Sequence, residues 1–215
     1  MRNLILGSIL LFLSSCVPPE AGKLMCRSGK LPALASELPQ TFFEQPGSEF
    51  VYQASLGFSF THFSGILVFK MMENGNLRAS LITEIGSKVF DIEMSDTNSV
   101  VHYAIGPLRK SNRIIELIED DFRILFFKGN DVRKNKLFGD SNRMVLRSKF
   151  GKKKVYYFSN ASDRKVNSVK RLGGMKGKLH IFFSDYNEKY PDNILITHPR
   201  IHLSIRLTPR EKNKS

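Results

Sequence analysis

Cysteine is rare in this 215-residue sequence, and tryptophan is absent altogether. Two cysteines, Cys16 and Cys26, are too few for a disulfide framework, and they do not form a Cys-x-x-Cys pair. The sequence also lacks the Gly-x-Ser-x-Gly elbow of hydrolases and a phosphate-binding glycine loop of the usual spacing. These absences argue against the common nucleophilic, nucleotide-dependent and redox enzymes.

A hydrophobic run long enough to cross a bilayer is missing as well. The apolar stretch 4–13 ends at Ser14, whereas a transmembrane helix needs roughly 20 apolar residues. Arg2 precedes the stretch and small residues follow it, which is the pattern of a secretory signal. Residues 1–15 are therefore predicted to be a signal peptide that is removed on export.

The segment Leu13-Ser14-Ser15-Cys16 resembles the lipobox of bacterial lipoproteins. The resemblance implies that the Cys16 thiol carries diacylglycerol and that cleavage leaves Cys16 as the first residue. Several acyl chains anchor a protein stably to a membrane, where a single chain binds only reversibly. An ordinary secreted protein with a chance cysteine is the alternative. If Cys16 is lipidated, Cys26 has no intramolecular partner.

Acidic residues are in deficit, with 33 Lys and Arg against 20 Asp and Glu and a formal net charge of +13. Such an excess attracts polyanions. Because export argues against nucleic acid as a partner, the charge points to anionic lipid headgroups or other anionic envelope polymers. The basic runs 152–154 and 210–214 are interpreted as a solvated turn and a solvated tail.

Proline and glycine interrupt the chain repeatedly between Val17 and Ser48, and no periodicity is sustained there. This predicts a lipidated tether over 16–48. Largely extended at about 3.1 Å per residue, it would hold the following domain several nanometres from the bilayer. The remaining residues suit one domain at 49–208, followed by a basic tail at 209–215.

A two-residue period of apolar side chains predicts strands on both sides of one central segment. Short turns separate successive strands, so neighbours are expected to pair antiparallel. The predicted strands are 52–60, 63–71, 77–84, 88–94, 99–105, 143–150, 154–159, 165–171, 178–184, 193–198 and 200–207.

The central segment 112–127 has apolar residues at three- and four-residue steps, which predicts an amphipathic helix. Asp120 and Asp121 are interpreted as solvated helix charge, since adjacent helical residues diverge and make a poor acid/base pair. The predicted fold is mostly β. A curved antiparallel sheet of about eleven strands forms an open half-barrel, covered by one main α-helix.

None of the five histidines has a compact metal-ligand spacing. On a strand, His198 and His202 would lie about 13 Å apart, and Pro199 interrupts the segment. The sequence therefore predicts no metal site, no cofactor and no catalytic residue, although carboxylates from different strands can converge without a local motif. A non-enzymatic protein is the expectation.

The order of lipobox, tether, meander, helix and second meander resembles that of LolA/LolB-type lipoprotein-handling proteins. More specifically, 63–68, 83–91 and 121–125 resemble a group of Bacteroidota outer-membrane lipoproteins with a LolA/LolB-like fold. The resemblance implies an open barrel with a helical lid over an apolar cavity, binding of acyl chains, and lipoprotein handling at the outer membrane.

One departure from this family is the polarity of two early turns, 73–76 and 96–98. LolB has a protruding loop with an exposed hydrophobic residue, and these turns carry none. After Cys16, the residues Val17-Pro18-Pro19 lack the aspartate associated with inner-membrane retention. This indicates the periplasmic face of the outer membrane.

Two hypotheses follow. In the first, the protein is a non-enzymatic lipoprotein whose apolar cavity holds lipid or the acyl chains of lipoproteins. In the second, it is an envelope scaffold with a filled core and a basic binding surface, whose partners are anionic envelope polymers. The candidate residues for the cavity and its lid are Leu56, Phe58, Leu67, Phe69, Ile115, Ile118, Phe122 and Leu125.

Overall fold

The computed structural model of the protein describes residues 18–22, 30–31, 47–130, 135–172, 178–187 and 190–210. The predicted signal peptide, Cys16 and Cys26 lie outside these ranges, as do most of the predicted tether and the residues after Arg210. In the described ranges, every helix is too short or too polar to span a bilayer.

Within the described ranges, thirteen strands form a single antiparallel sheet. They are β1 (Lys30–Leu31), β2 (Glu49–Phe58), β3 (Thr61–Met71), β4 (Leu77–Thr83), β5 (Lys88–Met94), β6 (Ser99–Ala104), β7 (Lys136–Gly139), β8 (Arg143–Phe150), β9 (Lys153–Asn160), β10 (Val166–Arg171), β11 (Leu179–Asn187), β12 (Tyr190–His198) and β13 (Leu203–Pro209). The mostly β, antiparallel fold is confirmed, but the strand count exceeds the predicted eleven. The additional strands, β1 and β7, have two and four residues, too few to show a two-residue period.

The sheet joins two meanders side by side. Its order is β1-β7-β8-β9-β10-β11-β12-β13-β2-β3-β4-β5-β6, and β13 pairs with β2 so that Ile205 lies opposite Leu56. The two ends of this order, β1 and β6, do not pair with each other. The sheet is therefore open rather than a closed barrel.

Two helices connect the meanders: the single-turn α1 (Gly106–Arg109) and the longer α2 (Asn112–Leu125). α2 ends two residues earlier than predicted. The amide of Lys128 donates to Arg123 O and that of Phe127 to Ile124 O, the pair of bonds that defines a Schellman stop. Phe127 takes the left-handed position, with φ 57°, and its ring packs edge-on against Tyr157 at 5.1 Å between centroids.

The contacts of α2 show that the sheet is curved. Ser99 on β6 donates to Glu119 of α2 at 2.6 Å, and the Tyr157 hydroxyl on β9 donates to Ile124 O at 3.0 Å. β6 and β9 are nine strand spacings apart, about 43 Å in a flat sheet, whereas a helix is only about 10–12 Å across. The sheet must therefore wrap around α2. We call the side that contacts α2 the concave face and the opposite side the convex face.

Gly65 on β3 allows a close approach of the neighbouring strand β4. A Cβ atom at this position would lie 2.0 Å from the backbone oxygen of Ile82. We expect Gly65→Ala to lower the free energy of unfolding by about 1–3 kcal/mol, measured by urea denaturation, because backbone must move to accept the methyl group. Gly57→Ala on β2 is the matched control, since its Cβ would meet only the Ser204 hydroxyl, at 3.1 Å. Equal losses for the two variants would contradict the clash.

Candidate functional site

The concave face carries the main apolar cluster of the protein. Alternate residues of each strand point to this face, and α2 lies across it. The eight candidate cavity and lid residues meet here: Leu56 and Phe58 from β2, Leu67 and Phe69 from β3, and Ile115, Ile118, Phe122 and Leu125 from α2. Phe58 is partly buried at the margin of the cluster, and the other seven are buried.

Aromatic side chains fill the space between α2 and the sheet. Phe122 of α2 meets Phe69 of β3 edge-on at 4.9 Å between centroids and lies 6.2 Å from Phe90 of β5. Phe126, directly after the helix, also meets Phe69, at 4.7 Å. Phe69, Phe90 and Phe122 are at most 1 % exposed. In this structure, α2 and Phe126 therefore fill the centre of the concave face.

Polar side chains of α2 are buried together with the apolar ones. Asp121 is fully buried and lies 2.6 Å from Nε2 of His198 on β12, which is 1 % exposed. The interpretation of Asp121 as solvated helix charge is therefore wrong. Its partner lies 77 residues further along the chain, so no local pattern could reveal the pair.

A second buried charge stands close to this pair. Arg171 on β10 is completely buried, and its Nη1 lies 3.5 Å from a carboxylate oxygen of Asp120. In the described part of the chain, Oδ1 of Asp121, Nδ1 of His198, and Nε and Nη2 of Arg171 have no hydrogen-bond partner. Burial raises the pKa of Asp121 above its ordinary value, although the hydrogen bond with His198 and the charge of Arg171 act to lower it. These buried groups lie between α2 and the strands β10 and β12, and their contacts hold α2 against the sheet.

Further polar contacts attach α2 to the β5–β6 end of the sheet. Glu119 accepts from Ser99, and Nε of Arg123 donates to Ser95 O at 3.0 Å. Both side chains are 8 % exposed, so the C-terminal part of α2 is enclosed on its polar side as well as its apolar side. The amphipathic pattern predicted the apolar side of this contact and missed the polar one.

A groove of about 490 Å³ opens where α2 meets the edge strand β6. One wall carries exposed apolar side chains of β6, including Val101 and Tyr103, at 43 % and 45 % exposure. The other wall is α2, which contributes Ile115, Glu116 and Glu119. The groove thus leads from solvent to the apolar stripe of α2. The sequence predicted β6 only as a strand, since its edge position depends on the topology.

Two apolar side chains project from turns at one end of the sheet. Phe60, between β2 and β3, is fully exposed, and Ile85, between β4 and β5, is 90 % exposed. Both turns lie at the same end because the strands form a meander. The polar turns 73–76 and 96–98 suggested that an exposed hydrophobic loop was missing, and the structure corrects this: the apolar side chains are carried by the opposite set of turns.

In the ranges that the structure describes, no three His, Cys, Asp or Glu side chains come together as a possible metal site.

Comparison with known proteins supports the fold. No protein-family model matches the chain, and no curated protein is similar enough to count as a relative. Among solved structures, the chain is similar to a LolA superfamily protein from Nitrosomonas europaea, with a TM-score of 0.51 and 11 % sequence identity. The match covers 80 % of this chain and 88 % of the other. At this identity the likeness shows the fold alone: a curved, open, antiparallel sheet of the LolA type.

Proposed function

We propose that the protein is a non-enzymatic lipoprotein, anchored through Cys16 at the periplasmic face of the outer membrane, that binds acyl chains on its concave face after α2 has moved away. The observation that carries this proposal is the composition of the concave face. Its aromatic and aliphatic side chains form an extended apolar surface, and one helix between two connecting segments covers its centre. Displacing α2 would uncover that surface without breaking the pairing between strands.

The exposed apolar groups outside the core fit the same function. The groove along β6 gives a chain access to Ile115, and Phe60 and Ile85 provide apolar contact with a bilayer while a lipid or a lipoprotein acyl chain is exchanged. The ligand and the helix compete for one surface. The apparent affinity for the ligand therefore equals the intrinsic affinity multiplied by the fraction of molecules in which α2 is displaced.

Hydrogen exchange with a long-chain fatty acid tests the acyl-binding site. We expect palmitate to bind the purified protein and to lower the protection of the α2 amides, while the amides of β3 and β9 stay protected. Butyrate, which has the carboxylate without the long chain, is the control and should change nothing. Palmitate binding with unchanged α2 protection, or no palmitate binding, would refute displacement of the helix.

The anchor needs a separate test. Cys16→Ala should move the protein from the membrane fraction to the soluble fraction after a high-salt wash, because salt removes attraction that is merely electrostatic. A variant that stays in the washed membrane would argue against lipidation at Cys16.

A second candidate function is an envelope scaffold with a filled core. The packing of Phe122 between Phe69 and Phe90 favours it, since the interior is filled at these positions in the structure. The scaffold would hold anionic envelope polymers on its basic surface. Failure of palmitate to bind, together with salt-sensitive retention of such a polymer, would select this function.

A further inference from the structure

Residues 18–22 of the predicted tether form a helical turn that contacts the convex face of the sheet. Ala21 is fully buried and packs with Val145 of β8 and Tyr156 of β9. Glu20 forms an ion pair with Lys170 of β10, with 2.5 Å between the charged atoms. The domain is thus held close to the start of the predicted tether rather than at its far end.

This contact limits the distance between the anchor and the sheet. Cys16 lies two residues before Pro18, which is buried. Two residues span at most about 7 Å when fully extended. A bilayer that holds acyl chains on Cys16 must therefore lie close to the convex face of β8–β10.

Cations are concentrated on this part of the convex face. The strands β7, β8, β9 and β10 contain no Asp or Glu. Strand register places six cations on the same side as Val145 and Tyr156: Lys136, Arg143, Arg147, Lys149, Lys154 and Lys170. We call these six residues the basic face.

The opposite half of the convex surface is balanced in charge. There the strands β2–β6 carry three cations and three carboxylates, namely Lys70, Arg78 and Lys88 against Glu49, Asp91 and Glu93. Among these strands, the excess of positive charge is therefore concentrated on β7–β10, where Glu20 pairs with Lys170 alone among the six cations of the basic face in the ion pairs described.

Two features of the basic face bear on its partner, and the first calls for an anion. Lys149 and Lys154 lie directly opposite each other on β8 and β9, an arrangement that normally destabilises a sheet. Arg147 lies over the Phe138 ring and Lys170 over the Phe158 ring, so these two cations are held at the sheet surface above aromatic side chains.

We propose that the basic face lies against an anionic phospholipid bilayer and orients the domain on the membrane. The phosphate-bearing headgroups supply the counter-charge that the strands lack, and the turn 18–22 places them within reach. The orientation rests on the proposed anchoring at Cys16, but it does not depend on acyl binding to the concave face.

Vesicle binding by the unlipidated chain tests the basic face separately from the anchor. The chain from residue 16 with Cys16→Ser is mixed with phosphatidylglycerol–phosphatidylcholine vesicles and with pure phosphatidylcholine vesicles. We expect binding to the anionic vesicles only, and a loss of at least about tenfold in the variant Lys149→Glu, Lys154→Glu. Both side chains are exposed, and the charge reversal keeps like charges opposite each other. The variant should therefore fold as the parent does, so that a loss of binding reports the changed charge.

The control variant Lys70→Glu, Lys110→Glu has the same net charge and alters exposed side chains elsewhere. Binding should change less than threefold. Equal losses in the two variants would overturn the proposal in favour of diffuse attraction. A different outcome is that the basic-face variant keeps its binding to vesicles and loses binding to an anionic polysaccharide. That result would overturn the membrane proposal and indicate a polymer-binding site.

A second measurement reports orientation in the anchored protein. In the lipidated chain with Cys26→Ser, a fluorophore is attached through Lys154→Cys or Lys70→Cys, and the vesicles contain brominated lipid. We expect stronger quenching at position 154 than at position 70. Equal quenching would overturn the orientation even if Cys16 is lipidated. If an unlipidated protein stays in the membrane after a high-salt wash, that result would instead refute the anchor, because salt removes the electrostatic attraction of the basic face.

Discussion

Asp121→Ala is expected to lower the free energy of unfolding by about 3–5 kcal/mol. The substitution removes the carboxylate that faces His198 and leaves that imidazole, together with the nearby Arg171, buried without it. Urea denaturation at neutral pH measures the loss. Glu73→Ala, which removes a carboxylate from an exposed turn, is the control and should stay within about 0.5 kcal/mol.

A double-mutant cycle separates the contact from the general cost of truncation. If Asp121 and His198 stabilise each other, the loss in Asp121→Ala, His198→Ala is smaller than the sum of the single losses by at least about 1 kcal/mol. Strict additivity would show that the 2.6 Å contact contributes nothing to stability.

The location of the loss matters as much as its size. Asp121 belongs to α2, and its hydrogen bond with His198 joins that helix to β12. Hydrogen exchange in Asp121→Ala should therefore show weaker protection in α2, with β3 and β9 nearly unchanged. Uniform loss across the sheet would mean that α2 and the sheet unfold as one unit, which would count against a displaceable helix.

The sequence revealed the parts of the fold that follow from local periodicity. Alternating apolar residues predicted eleven strands, and three- and four-residue steps predicted α2, because each pattern records which side of an element is buried. β1 and β7 are too short to show such a pattern. The Schellman stop was missed because its left-handed residue is Phe127, a residue type that rarely takes a positive φ.

The features that depend on distant contacts were not predictable in this way. His198 approaches Asp121 only after β12 has taken its place in the second meander. The turn 18–22 reads as part of a tether because of its prolines and glycine, and only the convex surface of Val145 and Tyr156 shows why it docks. The positions of these residues therefore depend on strand register and on the order of strands in the sheet, and no short segment of sequence specifies either.

Phe122→Ala is the variant that connects packing with the proposed function. Truncating a fully buried phenylalanine costs about 3–5 kcal/mol, and here the lost contacts are those with Phe69 and Phe90, which exist only while α2 is seated on the sheet. The seated state is destabilised more than a state with α2 displaced. The displaced fraction rises, and the apparent affinity for palmitate should rise with it by at least about tenfold.

The matched control for Phe122→Ala lies on the other side of the sheet. Tyr156 is as deeply buried, but its ring packs with Val145 and Ala21 on the convex face, away from α2. Tyr156→Ala should lower the free energy of unfolding to a similar degree and leave palmitate affinity unchanged. A long acyl chain exceeds the volume of one lost phenyl ring, so tighter binding in Phe122→Ala alone requires the helix to move. If both variants bind palmitate more tightly to the same extent, general loosening explains the binding and α2 is part of a permanent core.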